Sequence, residues 1–424
     1  MLQSLLIFLF YTAIFLFILY RCTKQKSFVL NFKETSFIFL IKIIAGCFYG
    51  YFFLHYYGGD DTWMYHNESL KEYALLKADP IHFFINDIFT HGYTTNQFKT
   101  IFNSSDSFAK NLEYTILIKL LAIFDLFSGG RYYVNVIFYD VIVFWGCYYL
   151  FKTFVLKYPE KRFFWLTFIF CLPPLLFWTS GLRKDGICFA IICGLIYQLY
   201  FLFERKISAK HVAFAMLLFT ILFLLRNYIA LVFIPLFIAY AISKKFAAKT
   251  WLVYLIVFAI TIAGFFITAF ISDSYNLPQK MADRQQSFLE LKGNSYLPID
   301  TLNGNFNSYV KVLPQALDHV FIRPYPLEAK GILYIFSFLD VVFFFLVFVR
   351  IIFKSGTNFK RLINDPFVLS LITIALFNYV IIGYTVPFLG AIVRYKASFE
   401  IFFILIFIVL QKTKINPLFK FRQL

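Results

Sequence analysis

Apolar blocks of roughly 15 to 23 residues alternate with short basic stretches along the chain, and a helix needs about 20 residues to cross the hydrocarbon core of a bilayer. The blocks predict one all-α membrane domain over residues 1–424, a polytopic bundle of about eleven spans. The predicted spans are 2–20, 36–57, 132–152, 163–180, 186–204, 211–225, 229–243, 251–271, 330–352, 366–385 and 398–411.

One apolar segment does not fit the alternation of sides. Residues 113–127 contain Lys119 and Asp125, and a full crossing there would reverse the orientation of every later span. We therefore predict a re-entrant or interfacial helix. Two long outer loops complete the architecture: 58–112, whose amphipathic stretches predict helices on the outer surface, and 272–329, which is longer than a connector needs and is typical of a functional loop or lid.

The composition agrees with an integral membrane protein. Of the 424 residues, 60% are hydrophobic and only 15% are charged, whereas soluble proteins have about 25% charged residues. The formal charge of +17 could indicate nucleic-acid binding. The basic residues, however, sit in small groups at the ends of the apolar blocks, which is the positive-inside pattern. We therefore predict no nucleic-acid partner, and a chain with its N-terminus outside and its C-terminus in the cytoplasm.

Neither the cysteines nor the first apolar segment changes this picture. The six cysteines lie within or at the ends of apolar blocks and show no CxxC pair, so they predict neither a zinc site nor a disulfide framework. The first apolar segment lacks a basic n-region and a clear cleavage site, and we expect it to be a retained helix rather than a signal peptide.

Two adjacent acids follow the second predicted span, in the stretch GGDDTWMYHNES at residues 58–69. Gly58 and Gly59 would let the chain turn sharply out of the membrane and place Asp60 and Asp61 at its boundary. A carboxylate there can deprotonate an attacking hydroxyl or hold a metal. Asp60 and Asp61 are therefore the candidate catalytic residues, with Asp60 favoured because it lies nearer the membrane, and a divalent metal stays open as a cofactor.

Positive charges on the outer side oppose the positive-inside bias, and a charge at the membrane boundary costs free energy unless it has a partner or a water-filled cavity. Several such bases facing one cavity would suit a phosphate-bearing lipid, because guanidinium groups bind phosphate oxygens bidentately. The predicted phosphate-binding residues are Arg183 and Lys184 in WTSGLRKDG, Arg226 in FLLRNYIA, Arg323 in FIRPYP, and Arg394 and Lys396 in GAIVRYK, with Asp185 and His66 as further site residues.

Structural explanations compete with each of these roles. Asp60 and Asp61 could be a helix cap and an ordinary first turn, and WTSGLRKDG could be a solvated hairpin turn. Arg226 could be stabilised by a structural partner such as Asp60 or Asp185. His66 has no second His or Cys at ligand spacing nearby, which argues against a metal site there.

These patches together resemble those of bacterial envelope-glycan enzymes. The stretch GGDDTWMYHNES, the turn FWTSGLRKDGICFAI, the isolated arginine of LLRNY and the late VPFLGAIVRYK make the chain similar to GT-C-type membrane glycosyltransferases and to exopolysaccharide or O-antigen polymerases. In GT-C enzymes an acid of the first outer loop acts as catalytic base or metal ligand, and the matching positions are Asp60 and Asp61. In the polymerases outward arginines hold the carrier phosphate, and the matching positions are Arg183, Arg226 and Arg394.

The resemblance implies transfer or polymerisation of sugars in cell-envelope polysaccharide synthesis. The donor would be linked to a polyprenyl phosphate or diphosphate, the partner would be a glycan acceptor, and the site would be the outer face of the bacterial cytoplasmic membrane. The GT-C acid usually follows the first span, whereas here it follows the second. A flippase or exporter of lipid-linked glycans is the alternative, with Asp125, Asp140 or Asp340 on an ion path. A scaffolding membrane protein is a third hypothesis.

Overall fold

The computed structural model describes residues 2–89, 108–205, 207–246, 249–291, 293, 295–328, 332–354 and 363–410. The structure is 85% helical, and no strand occurs in these residues. Tyr296 and Phe388 form an isolated antiparallel bridge. The predicted all-α class is therefore confirmed.

Seven helices in the described part of the chain have the length and apolarity to cross a membrane, which supports the prediction of a helical membrane protein. The count of about eleven spans, the orientation and the identity of the membrane stay predictions. The seven are Leu2–Thr23, Phe32–Tyr57, Tyr132–Lys157, Lys184–Glu204, Ala209–Ser243, Thr250–Phe270 and Pro366–Thr385.

The described residues fall into two compact units. The first comprises the described part of 2–89 with 111–201 and 208–226, and the second consists mainly of the described part of 227–410. The first unit contains α1 (Leu2–Thr23), α2 (Phe32–Tyr57), α3 (Asp61–Ala78), α4 (Pro80–Phe89), most of α5 (Phe108–Ser128), α6 (Tyr132–Lys157), α7 (Arg162–Cys171), α8 (Pro173–Trp178), most of α9 (Lys184–Glu204) and the first part of α10 (Ala209–Ser243).

One predicted span is divided in the structure, and two others meet within a single kinked helix. The predicted span 163–180 is divided into α7 and α8 at Leu172, whose extended backbone (φ −64°, ψ 116°) is the conformation that a following proline favours. The predicted spans 211–225 and 229–243 correspond to the two parts of α10, which meet at a kink where the backbone of Arg226 is non-helical (φ −153°, ψ 82°). The segment 113–127 lies in the continuous helix α5, and its place at the membrane stays a prediction.

The end of α2 has the geometry that its glycines predict. Gly58 (φ 73°) and Gly59 (φ 117°) both adopt left-handed backbone, which a residue with a Cβ rarely does, and together they end the helix. Asp60 is then the N-cap of α3, where its Oδ1 accepts a hydrogen bond of 2.9 Å from the Thr62 amide. The chain thus leaves α2 and begins α3 within three residues, and Asp60 lies in that turn.

In the second unit, part of the segment that the sequence predicts as a long loop is helical. Besides the rest of α10, it contains α11 (Thr250–Ile267), α12 (Leu277–Leu289), α13 (Phe306–Phe321), α14 (Ile332–Lys354), α15 (Pro366–Thr385) and α16 (Leu389–Leu410). Helices α12 and α13 fall in the predicted loop 272–329 and bury a shared core. Its buried members are Ala282, Ile299, Leu302, Tyr309, Val312, Ala316 and Tyr384.

Candidate functional site

Arg183 is the centre of a cluster of acids in the first unit. It lies in the turn between α8 and α9, and only 4% of the residue is exposed. Its Nη1 donates hydrogen bonds of 2.7 Å to Tyr49 Oη and of 2.7 Å to Asp60 Oδ2, and its Nη2 donates to Asp61. Its Nε lies 3.7 Å from a carboxylate oxygen of Asp185. One guanidinium therefore contacts three carboxylates.

Local hydrogen bonds orient Asp60 and Arg183 toward each other. Asp60 uses Oδ1 to cap α3 and Oδ2 to accept from Arg183, and Tyr49 Oη donates to the same Oδ2 at 3.2 Å. On the other side, Tyr139 donates its hydroxyl hydrogen to the backbone carbonyl of Arg183. The turn around Arg183 is thus attached to α6 through its backbone and to α2 through its side chain.

The cluster continues to the break in α10. Asp185, which is buried in the first turn of α9, accepts a hydrogen bond from Arg226 at that break. Asp185 therefore interacts with both arginines, Arg183 on one side and Arg226 on the other. The structural partner expected for Arg226 is confirmed as Asp185. Asp60, Asp61, Arg183, Asp185 and Arg226 together form what we call the Arg183 cluster.

Lys184 has a partner of its own beside this cluster. Its Nζ donates to Glu113 Oε1 at 2.6 Å, and both side chains are largely buried. Glu113 is not indicated by the sequence, because an acid at the start of an apolar segment shows no local sign of a distant partner. Tyr49 was also missed, since its position inside an apolar span gives no sign that its hydroxyl contacts Asp60 and Arg183.

The Arg183 cluster contains three carboxylates and two guanidinium groups, so its formal charge is −1. Burial raises the pKa of Asp60 above its ordinary value, although the nearby Arg183 acts in the opposite direction. A carboxylate with a raised pKa is a better general base at neutral pH than an ordinary one. The side chain of Asp61 is 48% exposed, which leaves one face of the acid pair accessible.

The contacts of Arg183 favour a positioning role over the predicted phosphate-binding role. All three of its nitrogens already face Tyr49 or a carboxylate, so a phosphate oxygen would have to displace one of these partners. The same contacts hold both acids in place. The geometry also matches the structural explanation for the two acids, because Asp60 is the N-cap of α3 and Asp61 lies in its first turn. Their catalytic role stays a prediction.

The other predicted phosphate-binding residues lie in the second unit, and each has contacts there. Arg323 binds Asp318 at 2.9 Å and Glu328 at 2.5 Å. Arg394 and Lys396 belong to α16, which begins at Leu389 and not at residue 398 as predicted. Arg394 donates to Tyr395 Oη at 2.7 Å, and the buried Lys396 donates to the Val320 carbonyl at 3.5 Å.

Two buried acids of the first unit have polar partners within the bundle. Asp140 in α6 lies 3.6 Å from the Lys42 ammonium of α2, which also donates to the hydroxyls of Thr179 and Ser180. Asp125 accepts hydrogen bonds of 2.7 Å from Ser69 and 2.6 Å from Asn135. Lys42 was missed by the sequence analysis because a single lysine inside an apolar run shows no pattern.

His66 is a buried residue of α3, and the geometry gives it a packing role. Its ring contacts those of Trp63 and Tyr132 edge to face, at centroid distances of 5.8 Å and 5.4 Å. Within the described ranges, no group of three or more His, Cys, Asp or Glu side chains could hold a metal ion.

We expect the buried His66 to make the protein less stable in mild acid. Burial lowers the pKa of His66 from 6.5 to about 4, so between these values the unfolded chain binds the proton and the folded chain does not. Stability contributed by the neutral imidazole is present above about pH 6.5 and is lost as the pH falls toward 4, by at most roughly 3 kcal/mol. The loss between pH 7 and pH 5 is measured by thermal unfolding in detergent. His66→Gln should reduce this pH dependence, and an identical slope in that variant would contradict the assignment.

Comparison with known proteins does not assign the chain to a family. No protein-family model matches it, and neither the curated proteins nor the solved structures contain a significant match.

Proposed function

We propose that the protein transfers or polymerises sugars from a polyprenyl-phosphate or polyprenyl-diphosphate donor during cell-envelope polysaccharide synthesis. The proposal places the reaction at the outer face of the bacterial cytoplasmic membrane, with the N-terminus outside, the C-terminus in the cytoplasm and about eleven spans. One observation supports the proposal. Asp60 and Asp61 lie directly after an apolar helix, and both accept hydrogen bonds from the buried Arg183. Ionisable residues inside or at the edge of a membrane are costly, and a functional role is the first hypothesis for them.

The chemistry assigned to this site is a glycosyl transfer. Asp60 takes the proton of an acceptor hydroxyl while that oxygen attacks the anomeric carbon of the donor sugar. The bond from this carbon to the lipid phosphate oxygen breaks, and the phosphate leaves with the electron pair. Asp61 is the accessible acid beside it, and Arg183 holds both carboxylates in place.

Arg226 is the residue that we assign to the departing phosphate. It is the other guanidinium of the Arg183 cluster, and it lies at the break of α10, where the helix backbone is interrupted. A guanidinium keeps its positive charge at any relevant pH and can stabilise a developing phosphate anion. No role in the transfer reaction is assigned to Arg323, Arg394 and Lys396, because their contacts lie in the second unit.

A transfer assay without a membrane gradient tests the proposal. The full chain in detergent receives a polyprenyl-diphosphate-linked oligosaccharide, and the lengthened product is measured by mass spectrometry. Arg226→Ala should lower the rate about 10- to 100-fold, the loss expected for one charge-assisted hydrogen bond. Arg162→Ala is the matched control, because Arg162 forms a separate ion pair with Glu34 at 2.6 Å. No product from the wild-type protein with mono- or diphosphate donors, or equal rates in the two variants, would refute the assignment.

Ion-coupled export of lipid-linked glycans is the second candidate, and one observation favours it. Asp140 and Lys42 form a buried pair between two helices of membrane-spanning type, α2 and α6, and such groups commonly mark ion or proton paths. The two functions differ in their need for a gradient. Transfer in detergent requires none, whereas export from one side of a sealed vesicle to the other would stop when the gradient is collapsed.

A further inference from the structure

Two adjoining depressions form a polar groove in the second unit. The larger, of about 840 Å³, surrounds the N-terminus of α13 and includes Asn303, Asn305 and Asn307. The smaller, of about 340 Å³, shares Asp300 with it and extends to His319. Both volumes fall in the range of small-molecule sites. The groove lies in the segment 272–329, which the sequence predicts as a functional loop.

The charges that line the groove balance one another. Lys311 lies 3.1 Å from the Asp300 carboxylate, and Arg323 binds Asp318 at 2.9 Å. Burial lowers the pKa of His319, which favours the neutral form of its ring. The lining residues thus have no net charge, and they offer no electrostatic preference for an anionic or a cationic ligand.

Polar groups of the groove are positioned for a ligand with hydroxyl groups. The side chains of Asn303, Asn305 and Asn307 line the larger depression and are exposed, so their amides can exchange hydrogen bonds with a ligand. Asn305 occupies the N-cap of α13, yet its side chain makes no capping hydrogen bond, although asparagine normally does so. The exposed amide of Asn305 is therefore available for a hydrogen bond with a ligand in the groove.

Each of the two depressions is lined by an exposed aromatic ring. Phe306 lines the larger one and is 57% exposed, and Tyr296 lines the smaller one and is 50% exposed. The negative face of an aromatic ring attracts polarised C–H groups, and amide side chains both donate and accept hydrogen bonds. A sugar ring presents C–H groups on its faces and hydroxyl groups at its edge, which matches this combination.

We propose that the groove binds a neutral oligosaccharide, with its hydroxyl groups on the asparagine amides and its ring faces on Phe306 and Tyr296. The inference rests on the proposed function, because the oligosaccharide would be the growing glycan or the acceptor of the transfer reaction. Its structural basis is separate, because every residue named for the groove belongs to the second unit and none to the Arg183 cluster.

Binding to the full chain in detergent tests this site without requiring transfer. The probes are neutral hexasaccharides of glucose, mannose, galactose and N-acetylglucosamine, with a hyaluronan hexasaccharide as the charged comparison, measured by saturation-transfer NMR and titration. At least one neutral probe should bind. Asn307→Ala and Phe306→Ala should each weaken its affinity about 3- to 10-fold, as expected for one lost hydrogen bond or ring contact.

Two control variants separate the groove from the Arg183 cluster. Gln286→Ala removes an exposed amide of α12 outside the groove and should leave affinity unchanged, as should Asp60→Asn. The absence of binding by all four neutral probes, tighter binding of the charged probe, or equal affinity in the wild-type protein and the groove variants would overturn the proposal. Normal binding with no sugar transfer would refute the proposed function alone.

Discussion

Replacing Arg183 with alanine should destabilise the protein by about 3 to 5 kcal/mol, the usual cost of removing one partner of a buried ion pair. Arg183 is the shared counter-charge of Asp60, Asp61 and Asp185. Without it, three neighbouring carboxylates would repel one another, and only Arg226 would remain as a cation of the cluster. Sugar transfer should be lost as well, since Arg183 orients both acids. The free energy of unfolding and the transfer rate are measured in the same detergent.

Two further variants separate the role of the Arg183 charge and geometry from a general loss of stability. Arg183→Lys keeps the charge but not the planar fork, so it should recover part of the stability and little of the activity. Arg162→Ala removes the half-buried partner of Glu34 in the same unit and should cost only about 1 to 2 kcal/mol. If Arg183→Ala were as stable as Arg162→Ala or more stable, the buried cluster would not have the energetic role described.

Replacing Asp60 with asparagine should lower the transfer rate about 10²- to 10⁴-fold, the usual contribution of a general base. In the wild-type protein the rate should fall as the pH is lowered through the pKa of Asp60, because the carboxylate then accepts a proton and cannot act as a base. Burial raises that pKa, so the acid limb should lie above the ordinary aspartate value of about 4. The asparagine variant should show no such limb. Rates measured across the pH range on both proteins test this.

The same substitution should leave the fold intact. Asparagine caps a helix as well as aspartate does, so α3 keeps its N-cap. The substitution removes one of the three carboxylates that face Arg183, and Asp61 and Asp185 remain, so its cost in stability should be smaller than that of Arg183→Ala. Asp79→Asn is the matched control, since Asp79 Oδ1 accepts from the His82 amide at 3.0 Å. Equal activity in the two variants would exclude Asp60 as the base.

Several parts of the Arg183 cluster could be predicted from the sequence. Gly58 and Gly59 indicated the sharp turn, and their positive φ angles confirm it. Arg226, isolated between apolar runs, was expected to need a partner or a water-filled cavity, and Asp185 is one of the two partners considered for it. These predictions succeeded because the conformational freedom of glycine and the free-energy cost of an unpaired charge near lipid are properties of the residues themselves.

Other parts could not be predicted, because they depend on contacts between distant segments. Arg183 follows Asp60 by 123 residues and Tyr49 by 134 residues. No local pattern shows that one guanidinium donates hydrogen bonds to both side chains. The pair of Lys42 with Asp140 joins two helices in the same way. In α16, Arg394 and Lys396 belong to the helix itself, although their charges suggested a turn before it.

The sequence alone determined the all-α membrane class, because the length and apolarity of a block decide whether it can form a membrane helix. It also determined the turn at Gly58 and the charges that needed partners. Only the tertiary structure decided which partners they found, and that α12 and α13 pack into a core with Tyr384 and carry a polar groove. Partner choice and packing depend on the three-dimensional arrangement of helices, which a linear pattern of apolar and charged residues does not specify.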